Sequence, residues 1–143
     1  MGKDAIAPFI KQKEKGVFVL CKTSNPSSKD FQNSLSGKNH MYELVAKKSL
    51  ELNKLNNIGL VVGATNCKDI EYIRRLARGI PFLIPGVGAQ GGDLAKSVRY
   101  GNDKGVALIS VSRGIIAAGD KSQTTIRETA LDYRNKIMDC INA

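Results

Sequence analysis

Two stretches of this chain hold residues whose types suit the binding of a phosphate. Gly86-Val87-Gly88-Ala89-Gln90-Gly91-Gly92-Asp93 places four glycines in seven positions, more than one turn requires. Glycine lets a phosphate come close to backbone N–H groups, and the helix start expected after the loop favours negative charge. Downstream, Ser112-Arg113-Gly114 supplies a guanidinium able to make a charge-assisted, bidentate contact to the same phosphate. Ser24, in Thr23-Ser24-Asn25-Pro26, is a third candidate, although its spacing alone reads as a turn or cap residue. No convincing nucleophile and base pair is present.

These residues need a frame. Val17–Lys22, Ile58–Gly63, Pro81–Pro85 and Val106–Val111 are short apolar runs without polar alternation, which reads as strands covered on both faces. Between them lie helical periods: Met41, Leu44, Val45, Leu52 and Leu55, then Ile70, Ile73, Leu76 and Ala77. A shorter helix is expected from Gly92 to about Tyr100, and a last one carrying Ile126, Ala130, Tyr133, Ile137 and Ile141 on one face. A helix over Asp4–Lys15 precedes the first strand, with Pro8 tolerable only near its first turn. Strict alternation gives an α/β fold of about four parallel strands, either a doubly wound open sheet or part of a (β/α) barrel. With no linker or low-complexity tract, residues 1–143 read as a single domain.

In both architectures ligands bind beyond the carboxyl ends of the strands, where the three candidate stretches fall. Gly86-x-Gly88-x-x-Gly91 also matches the dinucleotide fingerprint, and Arg113 suits an NADP phosphate. That fingerprint normally opens the first strand of its fold, however, whereas here two strands precede it. A barrel places its phosphate site in the loops after its last two strands, which are the loops that carry the glycines and Arg113.

Composition narrows the function classes. The 143 residues carry 22 Lys+Arg against 13 Asp+Glu, a formal charge of +9. Nucleic acid, an acidic membrane face and a phosphorylated small molecule are the partner classes such a charge suits, and basic residues scattered over several helices without interleaved aromatics argue against the first. No apolar run approaches the roughly 18 residues of a membrane helix, and the first ten residues do not resemble a secretory signal. Cys21, Cys67 and Cys140 stand at wide spacings beside a single His40, so neither a disulfide framework nor a metal site is expected. The three cysteines read as small buried hydrophobes in a cytoplasmic protein, and His40, near a helix start, reads as structural.

Phe82-Leu83-Ile84-Pro85-Gly86-Val87-Gly88-Ala89-Gln90-Gly91-Gly92-Asp93, with Thr23-Ser24-Asn25-Pro26 upstream and Ser112-Arg113 downstream, resembles orotidine 5'-phosphate decarboxylase of the longer bacterial and protozoan type. The resemblance implies a (β/α)8 TIM barrel that converts orotidine 5'-phosphate to UMP and carbon dioxide without metal or organic cofactor. It further implies that Ser24 hydrogen-bonds the pyrimidine and Pro85 lies against the substrate. Gln90 would bridge base and phosphate, and Arg113 would clamp the phosphate. Gly86, Gly88, Gly91, Ser112 and Gly114 are expected to offer backbone to that phosphate.

The departure from the family pattern is equally informative. The family's Asp-x-Lys-x-x-Asp motif, whose ammonium stabilises the ring carbanion, is absent from this chain. The resemblance therefore implies a C-terminal half-barrel that binds nucleotide, carries no catalytic residue of its own and is inactive alone. Such a half should dimerise or pair with an N-terminal half. A noncatalytic phosphate-binding half-barrel and, more distantly, an NADP-dependent oxidoreductase are the competing readings.

Overall fold

The computed structural model describes residues 2–88 and 90–143; Ala89 of the glycine-rich stretch lies outside them. The apolar runs form strands β1 (Val17–Lys22), β4 (Ile58–Val62), β5 (Phe82–Pro85) and β6 (Ala107–Ser110). They lie in one parallel sheet in the order β1-β4-β5-β6. Each of the last three is preceded by a helix, α3 (Met41–Leu52) before β4, α4 (Cys67–Leu76) before β5 and α5 (Leu94–Asn102) before β6. Sequence order and spatial order coincide, so the sheet has no reversal point of the kind at which dinucleotides bind in doubly wound folds. The order is that of consecutive barrel strands, and the dinucleotide-binding reading falls with it.

One face of this sheet is dry. Cys21, Leu60, Val62, Phe82 and Ile84 are buried in a single cluster with Ala46 of α3, Ile70 and Ile73 of α4, and Ala77. The other face is not covered, contrary to the expectation drawn from the unbroken apolar runs. Phe18, Leu20 and Leu108 are 40%, 64% and 50% exposed. Strand side chains alternate between faces, and among the described residues the helices of the buried cluster pack on only one of them. β4 and β5 sit between neighbours and stay better covered than the edge strands β1 and β6. On the open face, the Phe18 ring lies across Gly59, where an added Cβ would fall 2.4 Å from a ring carbon.

A buried arginine ties the covered layer together. Arg74 of α4 is 1% exposed and stacks 3.6 Å over the Phe82 ring. Its guanidinium donates to the carbonyls of Ala77, Ile80, Gly101 and Val106, joining α4 and β5 to α5 and β6. Burial pulls its pKa down to about 10, leaving it charged at neutral pH.

Several local features depart from the sequence reading. Helix α1 is Lys3–Ile10, ending well before Lys15, and Pro8 stands inside it rather than in the first turn. Proline removes one intrahelical bond, and the chain leaves the helix two residues later. The Asn57 side-chain amide then donates to the carbonyls of Ile10, Gln12 and Lys15, fixing the following segment to the start of β4. Between β1 and α3 the chain forms α2 (Ser28–Gln32) and a two-residue hairpin, β2 (Leu35–Ser36) with β3 (Asn39–His40). These are too short to show a hydrophobic period. After β6 come α6 (Arg113–Ile116) and α7 (Gln123–Asn142), the latter capped by Ser122 Oγ accepting from the Thr125 amide at 3.2 Å.

Of the three free cysteines only Cys21 is buried, and burial pushes its thiol up to about 12. Cys67, at the start of α4, and Cys140, near the end of α7, are half-buried and lie outside the buried cluster, contrary to the expectation for all three. His40 precedes α3, with Nδ1 2.8 Å from the Asn33 carbonyl and its ring stacked on Tyr42.

Candidate functional site

The carboxyl ends of β1, β4 and β5 converge through backbone contacts. The Gly63 amide donates to Lys22 O at 2.7 Å and the Ala64 amide to Pro85 O at 2.8 Å. These bonds bring the turn after β1 beside the loop after β5. Gly63 permits it sterically, since a Cβ there would lie 2.8 Å from Ser24 N. Ser24 Oγ then donates to Gln90 Oε1 at 2.7 Å, joining residues 66 positions apart.

Gly86 makes room for that bond. It has φ +94, and a Cβ at this position would fall 2.8 Å from Gln90 Oε1 and 3.3 Å from Ser24 Oγ. A side chain here is strained by the backbone and blocked by the two polar groups.

Beyond it opens a cleft of about 90 Å³ lined by Pro85, Gly86, Val87, Gln90, Ser110, Ser112, Arg113 and Gly114. That is room for a small cluster of waters, and it accommodates a phosphoryl group. Arg113 is exposed at its mouth and has no ion-pair partner among the described residues. It opens the short helix α6, whose first amides have no intrahelical acceptor. A cation and helix-start amides on one side, with a serine hydroxyl and a glutamine amide on the other, suit an anion joined to a flat polar group.

The structure thus brings together Ser24, Pro85, Gly86, Gln90, Ser112, Arg113 and Gly114. Gly88 and Gly91 do not line the cleft. Their amides are used inside the loop, Gly91 N donating to Gly88 O at 2.7 Å and Gly88 N reaching Gly92 O at 3.5 Å. Both hold positive φ, +75 and +80, so they shape the turn and do not offer donors outward. The helix start after the loop is occupied as well. Asp93 caps α5 by accepting from the Lys96 amide at 2.9 Å, and that bond, with the Lys96 ammonium, holds its carboxyl below the usual range. A carboxylate already fills the place where an incoming anion was expected, so the helix start available to the cleft is that of α6.

Sequence reasoning missed the residues that hold Ser24 from behind. Gln32, at the end of α2, accepts from the Thr23 amide and donates to Thr23 Oγ1, both at 2.9 Å. Asn33 Oδ1 accepts from the Lys22 ammonium, which also lies 4.9 Å from the centroid of the Tyr42 ring. The β1–β4 register shifts between Leu20 and Lys22, where the strand end meets this helical layer. Amides in a segment without apolar period carry no signal of such a role. Lys22 is therefore engaged on the helix side and leaves the cleft without a lysine.

Comparison with known proteins sharpens this picture. The profile of the Orotidine 5'-phosphate decarboxylase / HUMPS family matches residues 1–127. The chain is 50% identical over 121 residues to an orotidine 5'-phosphate decarboxylase of Natronomonas pharaonis, covering 84% of this chain and 45% of that protein. It is 44% identical over 148 residues to one from Dehalococcoides mccartyi, covering 99% of this chain and 54% of the relative. The solved structure of Leishmania donovani OMP decarboxylase superposes with TM-score 0.80 at 38% identity, over 96% of this chain and 54% of that one. The chain spans about half the length of the curated relatives it matches.

Proposed function

Because the chain belongs to the orotidine 5'-phosphate decarboxylase / HUMPS family, we propose that its cleft is the phosphate and pyrimidine half of an orotidine 5'-phosphate decarboxylase active site. The observation that carries this reading is the meeting of Ser24, Gln90 and Gly86 beside Arg113. One bond spans the pyrimidine and phosphate sides, at 2.7 Å. Arg113 and the α6 amides hold the phosphate, Gln90 reaches from it to the base, Ser24 bonds the ring, and Pro85 supports it.

Loss of the carboxylate as carbon dioxide leaves the bonding pair on the ring carbon, which must then take a proton. This chain has no Asp-x-Lys-x-x-Asp to stabilise that charge and donate the proton. Its contribution is binding energy. A phosphate held at a distance fixes the ring against the reacting groups, so the interaction lowers the barrier as well as the Michaelis constant.

Residues 1–143 act in this reading as one partial domain. The exposed apolar sheet face is closed by a half-barrel carrying the missing motif, with a second copy of the chain as the alternative. Neither nucleic acid, a membrane nor a cofactor takes part. Three free cysteines support a cytoplasmic setting, and among the described residues no helix is long and apolar enough to cross a membrane.

The test is to titrate UMP into the purified chain and its Arg113→Ala variant, and to assay decarboxylation with and without a segment carrying Asp-x-Lys-x-x-Asp. Wild-type binding is expected to weaken at least about tenfold on substitution, the loss of one charge-assisted contact. Turnover should appear only with the added segment. Turnover by the chain alone, or UMP affinity indifferent to Arg113, contradicts the reading.

A further inference from the structure

The cleft has two walls, the glycine-rich loop after β5 and the start of α6, and one side chain touches both. Tyr133 comes from α7, far along the chain, and is partly buried against the main core. A Cβ added at Gly88 would fall 2.6 Å from Tyr133 Oη, and one added at Gly114 would fall 2.9 Å from the same oxygen. The hydroxyl therefore lies in the gap between the backbones of the two walls. Apart from its chain neighbours, no other side chain among the described residues comes within 4 Å of a Cβ at Gly88.

These distances also separate two reasons for glycine. Gly88 has φ +75, so its backbone alone disfavours a side chain. Gly114 has no such restriction; its Cβ would meet Tyr133 Oη and, at 3.1 Å, a methyl of Val111. The absence of a side chain at Gly114 is thus explained by the tyrosine pressed against it.

We propose that Tyr133 is a positioning residue of the phosphate cleft, its ring and hydroxyl acting as a strut that sets the spacing between the Gly88 loop and the Arg113–Gly114 helix start. This rests on the reading of the cleft as a phosphate site. A rigid aromatic ring, anchored by packing, suits the task because an anion clamp loses strength when its donors move by about 1 Å. Substrate contact belongs to Arg113 and the α6 amides; Tyr133 acts through them.

The contact predicts a specific rescue. Gly114→Ala should weaken UMP binding by about tenfold, as the new methyl pushes α6 away from the tyrosine hydroxyl. Adding Tyr133→Phe removes the oxygen that the methyl meets, and should return affinity to within about threefold of the wild-type chain. Tyr133→Ala, which removes the strut, should weaken UMP and inorganic phosphate alike. Amide exchange at Arg113 and Gly114 reads the same cycle without ligand: faster in Gly114→Ala, restored in the double variant. Additive effects of Gly114→Ala and Tyr133→Phe, in binding or in exchange, overturn the proposal. If the wild-type chain fails to bind UMP, the phosphate reading falls, and the assignment of Tyr133 to that cleft falls with it. The exchange cycle then still reports whether the strut exists.

Discussion

Gly86 shows how much of the site depends on the absence of an atom. Its φ of +94 and the 2.8 Å approach of Gln90 Oε1 leave no place for a methyl group. Gly86→Ala is expected to cost about 1–2 kcal/mol from the backbone alone, and to break the Ser24–Gln90 bond. UMP affinity should fall by at least about tenfold, measured by calorimetry; unchanged affinity would mean that this bond does not shape the cleft. Arg74 makes the opposite point, since here a present group is indispensable. Arg74→Met leaves four inward-facing carbonyls without their donor and should destabilise the chain by about 3 kcal/mol in urea unfolding. Arg74→Lys should recover little, because an ammonium lacks the planar fork that reaches several acceptors at once.

Among the elements, legibility followed length. β1, β4, β5 and β6, with α3, α4, α5 and α7, are long or apolar enough for their period to show in the sequence. α2 and the β2–β3 hairpin are not, and with them Gln32 and Asn33 escaped notice. Gly86 and Arg113 stood out because glycine clusters and a strand-end arginine are unusual in themselves, whereas Gln90 was singled out only through the family resemblance. The roles of Gly88 and Gly91 were misread, because residue type alone does not tell a donor turned outward from one closed into its own turn. The α5 start was misread for a related reason: Asp93 ends the glycine-rich stretch, but its capping bond to Lys96 exists only once the helix has formed. That cap gives a pH prediction. The folded carboxyl titrates below the usual range of about 3.9, so its stabilisation is complete above that range and is lost as pH falls through the folded pKa. Asp93→Asn keeps an acceptor but cannot titrate. It should flatten the fall of melting temperature below about pH 4, by a small amount because the group is mostly exposed. An unchanged slope would remove Asp93 from the acid response.

For the molecule as a whole, the sheet is half a solution to its own burial. Helices cover one face; Phe18, Leu20 and Leu108 remain exposed on the other, and among the described residues β1 and β6 each present an edge with no neighbouring strand in the sheet. Such a surface favours association. Light scattering at micromolar concentration should find the isolated chain larger than 15.5 kDa, and Leu20→Glu with Leu108→Glu should shift it toward the monomer. A wild-type monomer that stays folded would show that the face tolerates water.

The central claim is that the β5–β6 cleft is a nucleotide phosphate site, and the most direct measurement is UMP titration followed residue by residue through backbone amide NMR shifts. The account predicts saturable shifts centred on Gly86, Gln90, Ser112, Arg113 and Gly114, with Ser24 responding to UMP and not to inorganic phosphate. Shifts centred instead on the larger groove lined by Arg74, Arg99, Asp103 and Cys140, or no saturable shifts from a folded chain, would contradict it.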